Sequence, residues 1–262
     1  MTLTAGVVQT DPSRRGRVAL AVAITALAVA IVWVLRDVAP RFSTHVFADR
    51  RTILGVPNFG DVASNVVFLI MGVIGLVVVA RLGESRFVDA RERWPWLALF
   101  AGVALVAFGS AYYHLAPDGG RLVWDRLPIT IVFMAFFAAV VAERVSVALG
   151  VWALAVLLPL GAITVLYWSA TGDLRPYMLV QLAPMLLVPF LVLGYPARYT
   201  RGRDVLIVIA FYLLAKVAEY LDRQILAAGG ILSGHALKHI IAGVGLYAVV
   251  VMLRRRRALT AN

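Results

Sequence analysis

Pro95-Trp96-Leu97-Ala98-Leu99-Phe100-Ala101-Gly102-Val103-Ala104-Leu105-Val106-Ala107-Phe108-Gly109-Ser110-Ala111-Tyr112-Tyr113-His114 runs for twenty residues with no acidic or basic side chain until its final histidine. A helix of that length rises about 30 Å, the thickness of a bilayer's hydrocarbon core. Similar blocks recur along the chain. Working outward gives apolar spans at 18–36, 62–80, 95–114, 127–142, 148–168, 177–194, 205–227 and 233–253. The expected fold is all-α: a polytopic transmembrane helical bundle of about eight spans.

Composition agrees with this. The 262 residues are 62% hydrophobic and the mean hydropathy is +0.88, whereas a soluble domain is roughly half apolar. Cysteine is absent, which excludes a disulfide frame and any thiolate metal site. A net charge of +11 would suggest nucleic acid in a soluble protein. Here the arginines sit in short loops and at the C-terminus, where positive charge sets membrane orientation, so no nucleic-acid partner is expected. Prolines near span starts (Pro95, Pro128) and inside spans (Pro159, Pro184, Pro189) are tolerable where neighbouring helices pack against them. No low-complexity tract, soluble domain or internal repeat stands out.

The first span follows Arg14, Arg15 and Arg17 and is longer than a signal-peptide core, so it reads as a retained anchor. Ser13-Arg14-Arg15 superficially resembles a twin-arginine signal; a basic flank before a first span accounts for it. With the N-terminus inside, fifteen Lys/Arg fall on the inner side and eight on the outer, while Lys216 and Lys238 lie within spans. That bias puts both termini in the cytoplasm. The Ala-, Val- and Arg-rich composition points to a bacterial inner membrane.

Ionisable residues inside spans are costly and mark functional sites facing the bundle interior. Ser110 and His114 end the third span. Asp125 precedes the fourth, in Trp124-Asp125-Arg126-Leu127-Pro128. His235 and His239 open the eighth, in Ser233-Gly234-His235-Ala236-Leu237-Lys238-His239. Four-residue spacing sets two side chains one turn apart on one helix face, and two imidazoles so placed can grip one metal ion. The topology puts the end of span three and the starts of spans four and eight on one side of the membrane. His114 is then the histidine at matching depth to supply a third ligand, and three histidines with an open fourth position is a catalytic zinc arrangement.

Plainer readings stand beside this one. His45, in a loop, reads as an interfacial hydrogen-bonding residue. A paired H-x-x-x-H can be polar glue between helices, or can join His114 in ligating haem. Ser110 can be a back-bonded helix serine, and Asp125 the N-cap of the fourth span. Lys216, Glu219, Asp222 and Arg223, in span seven, read as an internal ion-pair cluster, with Lys216–Glu219 and Glu219–Arg223 at helical neighbour spacing and Lys238 placed to join.

At these residues the sequence resembles the alkaline ceramidase branch of the CREST superfamily of membrane hydrolases. The marks are Ser110 four before His114, Asp125 at the head of the next span, and His235 and His239 on the last. Asn58-Phe59-Gly60-Asp61-Val62-Ala63-Ser64-Asn65 also resembles the family's first core helix, above all in its Ser-Asn pair. The resemblance covers residues 45–253 as a seven-helix core, with residues 1–44 as an N-terminal tail and extra transmembrane helix, and 254–262 as a basic cytoplasmic tail. It implies a zinc ion held by His114, His235 and His239, Asp125 acting on the metal-bound water, and Ser110 steadying the oxyanion. It further implies an amidohydrolase that cleaves the N-acyl amide of a ceramide-like membrane lipid to a fatty acid and a sphingoid-type base, with its site towards the outer face. A lipid ester hydrolase or remodelling enzyme, or a non-catalytic zinc- and lipid-binding receptor-like protein, would use the same residues. The family's animal members bind calcium through an acidic N-terminal segment. Phe47-Ala48-Asp49-Arg50-Arg51-Thr52 is basic here and lacks that pattern, so no calcium is expected.

Overall fold

Hydrocarbon offers a crossing backbone no water to bond, so each apolar block must satisfy its own N–H and C=O groups as helix. The computed structural model describes residues 12–34, 47–83 and 86–259, and all eight apolar blocks fall on helices within them. Helix α1 is Pro12–Val34. A single turn, α2 (Phe59–Ala63), leads into α3 (Val66–Arg81), and a 3-10 turn (Ala90–Glu92) into α4 (Arg93–Leu115). Then follow α5 (Gly119–Arg144), α6 (Val147–Thr171), α7 (Arg175–Gly194), α8 (Val205–Tyr220), α9 (Asp222–Gly229) and α10 (Gly234–Arg255). Among the described residues six stretches are long and apolar enough to cross a membrane: α2 with α3, the 3-10 turn with α4, α5, α6, α7 and α10. These are the marks of an integral membrane protein built as a helical bundle. His45, Arg36 and Arg41 lie outside the described residues.

The helices meander. α3, α4, α5 and α6 each pack on the next, α5 also touches α7, and α10 returns between α3 and α8 to close the bundle. α1 lies against α7 on the periphery. α5 is the central and most buried span. α7 and α8 touch only lightly, so α8 is held to the rest through α10. One apolar core, with Trp96, Phe100, Phe136, Val188 and Leu253 among its members, occupies one half of the bundle.

Three features differ from the sequence reading. Asp125 is not an N-cap. α5 begins two turns earlier, where the Asp118 carboxylate accepts from Arg121 N at 2.8 Å, which places both Asp125 and Pro128 inside the helix. The seventh apolar block is broken at Leu221. There Asp222 opens α9, and its carboxylate accepts from the backbone N–H groups of Ala48 (2.9 Å) and His235 (2.8 Å). α8 is left with 16 residues, short of a full crossing at about 1.5 Å per residue. Finally, the C-terminal arginines are not uniformly solvated. Arg254, Arg255 and Arg257 are exposed, whereas Arg256 is fully buried, paired with Glu143 and lying over the Tyr199 ring at 4.1 Å. Isolated burial of a guanidinium is prohibitive, and this pairing is what permits it.

Candidate metal centre

The site lies at the end of the bundle where α4 stops and α5 and α10 begin. Helix spacing places Ser110 and His114 one turn apart on α4, and His235 and His239 one turn apart on α10. What brings the helices together is the absence of side chains at two points. A Cβ on Gly109 would stand 2.1 Å from the Trp124 carbonyl oxygen of α5, and one on Gly234 would stand 2.1 Å from the Ala218 carbonyl of α8. Small residues at such crossings let backbones approach closely in membrane bundles. α10 starts on a proper cap, since Ser233 Oγ accepts from Ala236 N at 2.9 Å. The same hydroxyl donates to Asp61 Oδ1 at 2.6 Å, which ties the head of α10 to α2.

His114, His235 and His239 are 1%, 4% and 3% exposed, and one nitrogen from each falls within 4.8 Å of the others. His114 Nε2 and His235 Nε2 are 3.1 Å apart. Two nitrogens on a tetrahedral zinc at about 2.0–2.1 Å are separated by about 3.3–3.4 Å, so this pair already stands close to a coordination edge. The rings meet edge to face, His114–His235 at 74° and His235–His239 at 83°. Phe47 covers His114 and His235 with centroids at 4.6 and 4.8 Å, and Phe68 covers His239 at 5.3 Å.

Ser64 Oγ lies 3.2 Å from Asp61 O and 2.8 Å from His239 Nδ1. With the serine proton on the carbonyl, its oxygen accepts from Nδ1–H and the Nε2 lone pair of His239 is left for a ligand. Metal-binding histidines are oriented in this way by a partner on their second nitrogen. His235 Nδ1 lies 3.9 Å from Glu219 Oε1, outside hydrogen-bond distance. The donor set thus fits a metal ion. Haem fits poorly, because axial ligands occupy opposite faces of a macrocycle and 3.1 Å between nitrogens leaves no room for one.

Ser110 is buried beside the cluster, one turn before His114, and Asp125 faces it from the early turns of α5. The structure therefore brings all five sequence candidates to one end of the bundle. Lys216 and Lys238 both pair with Glu219, so the expected ion-pair cluster includes Lys238. Arg223 lines the wall of a cavity, as does Asp222. That cavity, of about 320 Å³, reaches His235 past Phe47, Glu219 and Tyr220.

Sequence reasoning did not give a role to Phe47, Asp61, Ser64 or Ser233, and it placed Asp222 in the ion-pair cluster, whereas its carboxylate caps Ala48 N and His235 N. Of the four, Ser64 and Asp61 carried a signal, through the Ser-Asn resemblance and a carboxylate at the head of an apolar block. The segment carrying Phe47 is fastened by Arg51. Its guanidinium meets Asp49 Oδ1 at 2.7 Å and Oδ2 at 2.9 Å, and donates to Gly230 O and Ile231 O across the α9–α10 turn. Gly60 N also donates to Asp49. The Arg51 guanidinium holds the Asp49 carboxyl below its ordinary value of 3.8.

Comparison with known protein families, curated proteins and solved structures yields no match. The site is read on its own geometry.

Proposed function

We propose that this protein is a zinc-dependent intramembrane amidohydrolase that cleaves the N-acyl amide of a ceramide-like lipid. The observation that carries the reading is the convergence of three buried imidazoles, one hydrogen-bonded to Ser64, beside a serine and an aspartate. Neutral imidazoles suit zinc among the common divalent ions, and three of them leave a fourth position open. Held by these three histidines, zinc would bring the pKa of a water down to about 7 and polarise a carbonyl.

The chain's own residues supply the rest. Asp125 accepts the proton of the attacking water and passes it to the leaving nitrogen. Water oxygen adds to the acyl carbon, the C–N bond breaks, and the products are a fatty acid and an amine. Ser110, beside the cluster, turns its hydroxyl towards the amide oxygen in a staggered rotamer, where such a donor contributes about 3 kcal/mol. The light contact between α7 and α8 is a natural side entrance for a lipid whose amide lies just below the headgroups.

The same reading takes the bundle as eight spans, a seven-helix core over 45–253 with α1 added, both termini cytoplasmic and the site at the outer face of a bacterial inner membrane. The six crossing-length helices, the apolar α1 beside them and the excess of arginine on one side support it, and α8 with α9 stands as the broken seventh span of this reading.

Metal content and turnover test the proposal together. Detergent-purified protein should carry about one zinc per chain, and the His235→Ala/His239→Ala double variant almost none. The zinc-loaded protein should release fatty acid from N-acyl lipids, and Asp125→Ala should abolish release while keeping its metal. Equal hydrolysis by metal-stripped protein would sink the mechanism. Cleavage of esters but not amides would move the activity to glycerolipids.

A further inference from the structure

Arg126 is buried to 6% exposure beside the site. Its guanidinium carbon lies 3.9 Å from the centre of the Trp168 ring and 5.1 Å from that of Tyr177. The arginine comes from α5, the tryptophan from the last turn of α6 and the tyrosine from the first turn of α7, so all three stand at the same end of the bundle as the histidines. At 3.9 Å the guanidinium carbon is in van der Waals contact with the indole face, the range of a cation–π pair. Its Nη1 has no hydrogen-bond partner. An arginine cannot shed its charge, and a buried donor left unmade is costly. The neighbouring Asp125 acts on it through space, and among the described residues no carboxylate lies within ion-pair distance of it. Aromatic stacking satisfies the face of this cation and leaves its edge available. A planar fork held that way matches the paired oxygens of a carboxylate or phosphate.

We propose that Arg126, seated on Trp168 and Tyr177, is a binding subsite for an oxyanion of the lipid handled here, one residue along α5 from Asp125. The oxyanion is a fatty-acid carboxylate or a headgroup phosphate. Its assignment to substrate or product rests on the hydrolase reading above; the binding itself does not. Helix termini at headgroup depth suit a group that is anionic at one end and apolar at the other.

The test is equilibrium binding to intact detergent-solubilised protein, zinc-loaded and metal-stripped, with three probes of one chain length: a fatty acid, an alkyl phosphate and the neutral fatty alcohol. Wild type should bind at least one anion about tenfold more tightly than the alcohol. Arg126→Gln should lose that preference and Arg126→Lys should keep part of it, while all three proteins bind the alcohol alike. Metal removal should leave the preference in place. Tighter binding of fatty acid than alkyl phosphate would assign the site to the product carboxylate, and the reverse order to a headgroup. No preference in wild type would overturn the proposal outright, whatever the variants do. So would a preference that survives in Arg126→Gln, or one that vanishes with the metal. Because binding is read without turnover, failure of hydrolysis and failure of this subsite are separate results.

Discussion

At the residue scale, Ser64 is the hydrogen-bond partner of the second nitrogen of His239, its hydroxyl lying between the Asp61 carbonyl and Nδ1. Removing a partner of this kind costs metal-binding histidine sites about 10–100-fold in affinity. Ser64→Ala should therefore retain the fold and weaken zinc binding by about that range, measured by competition with a chelator of known affinity. An unchanged affinity would mean that the tautomer is held by something else. The histidines themselves were legible because their signals are local: a four-residue repeat on one helix, and only four histidines in the chain. Ser64 was visible only as part of a resemblance, since its role depends on a neighbour 175 residues away. Phe47 was not legible at all. Nothing in an apolar residue before a basic loop says that it will cover two imidazoles.

At the scale of elements, hydropathy and hydrogen bonding mark different boundaries. Hydropathy located α5 from Leu127, where the apolar run begins, whereas the helix starts at Gly119 behind the Asp118 cap. The first two turns stand outside the apolar block and carry Asp125 and Arg126 to the site. The block at 205–227 failed in the opposite sense. It is continuous in composition but broken in structure, because Asp222 is drawn to two backbone N–H groups on other segments. Close helix approach is a third element-level property, and it rests on glycine. Gly109→Ala would drive a methyl into the Trp124 carbonyl. Overpacking of this kind costs about 1–3 kcal/mol, so the variant should melt earlier in detergent and lose the register between Ser110 and Asp125. A melting midpoint equal to wild type would show that α4 and α5 can part without penalty.

At the scale of the whole molecule, the segment covering the site is fastened to the far end of the chain by Arg51 and Asp49, with Gly230 and Ile231 as the other anchor. The Asp49 carboxyl is depressed in the folded protein, first through its hydrogen bond with Arg51. A depressed carboxyl adds stability above its unfolded value of about 3.8, and that contribution is lost as pH falls through the lower folded value. Asp49→Asn should lower the thermal midpoint at neutral pH, and the gap to wild type should close well below pH 3.8. A gap of the same size at both pH values would assign the effect to shape rather than charge.

The site joins α4 to α10, two helices far apart in sequence. During synthesis the first of the three histidines is placed in the membrane more than a hundred residues before the other two leave the ribosome. The histidine trio cannot assemble until α10 has been inserted, and Glu219 meets Lys238 only at that same moment. Biogenesis therefore runs through an intermediate whose α8 already carries Lys216 and Glu219, still lacking the partner that α10 brings, and the proposed metal can be captured only after α10 is in place.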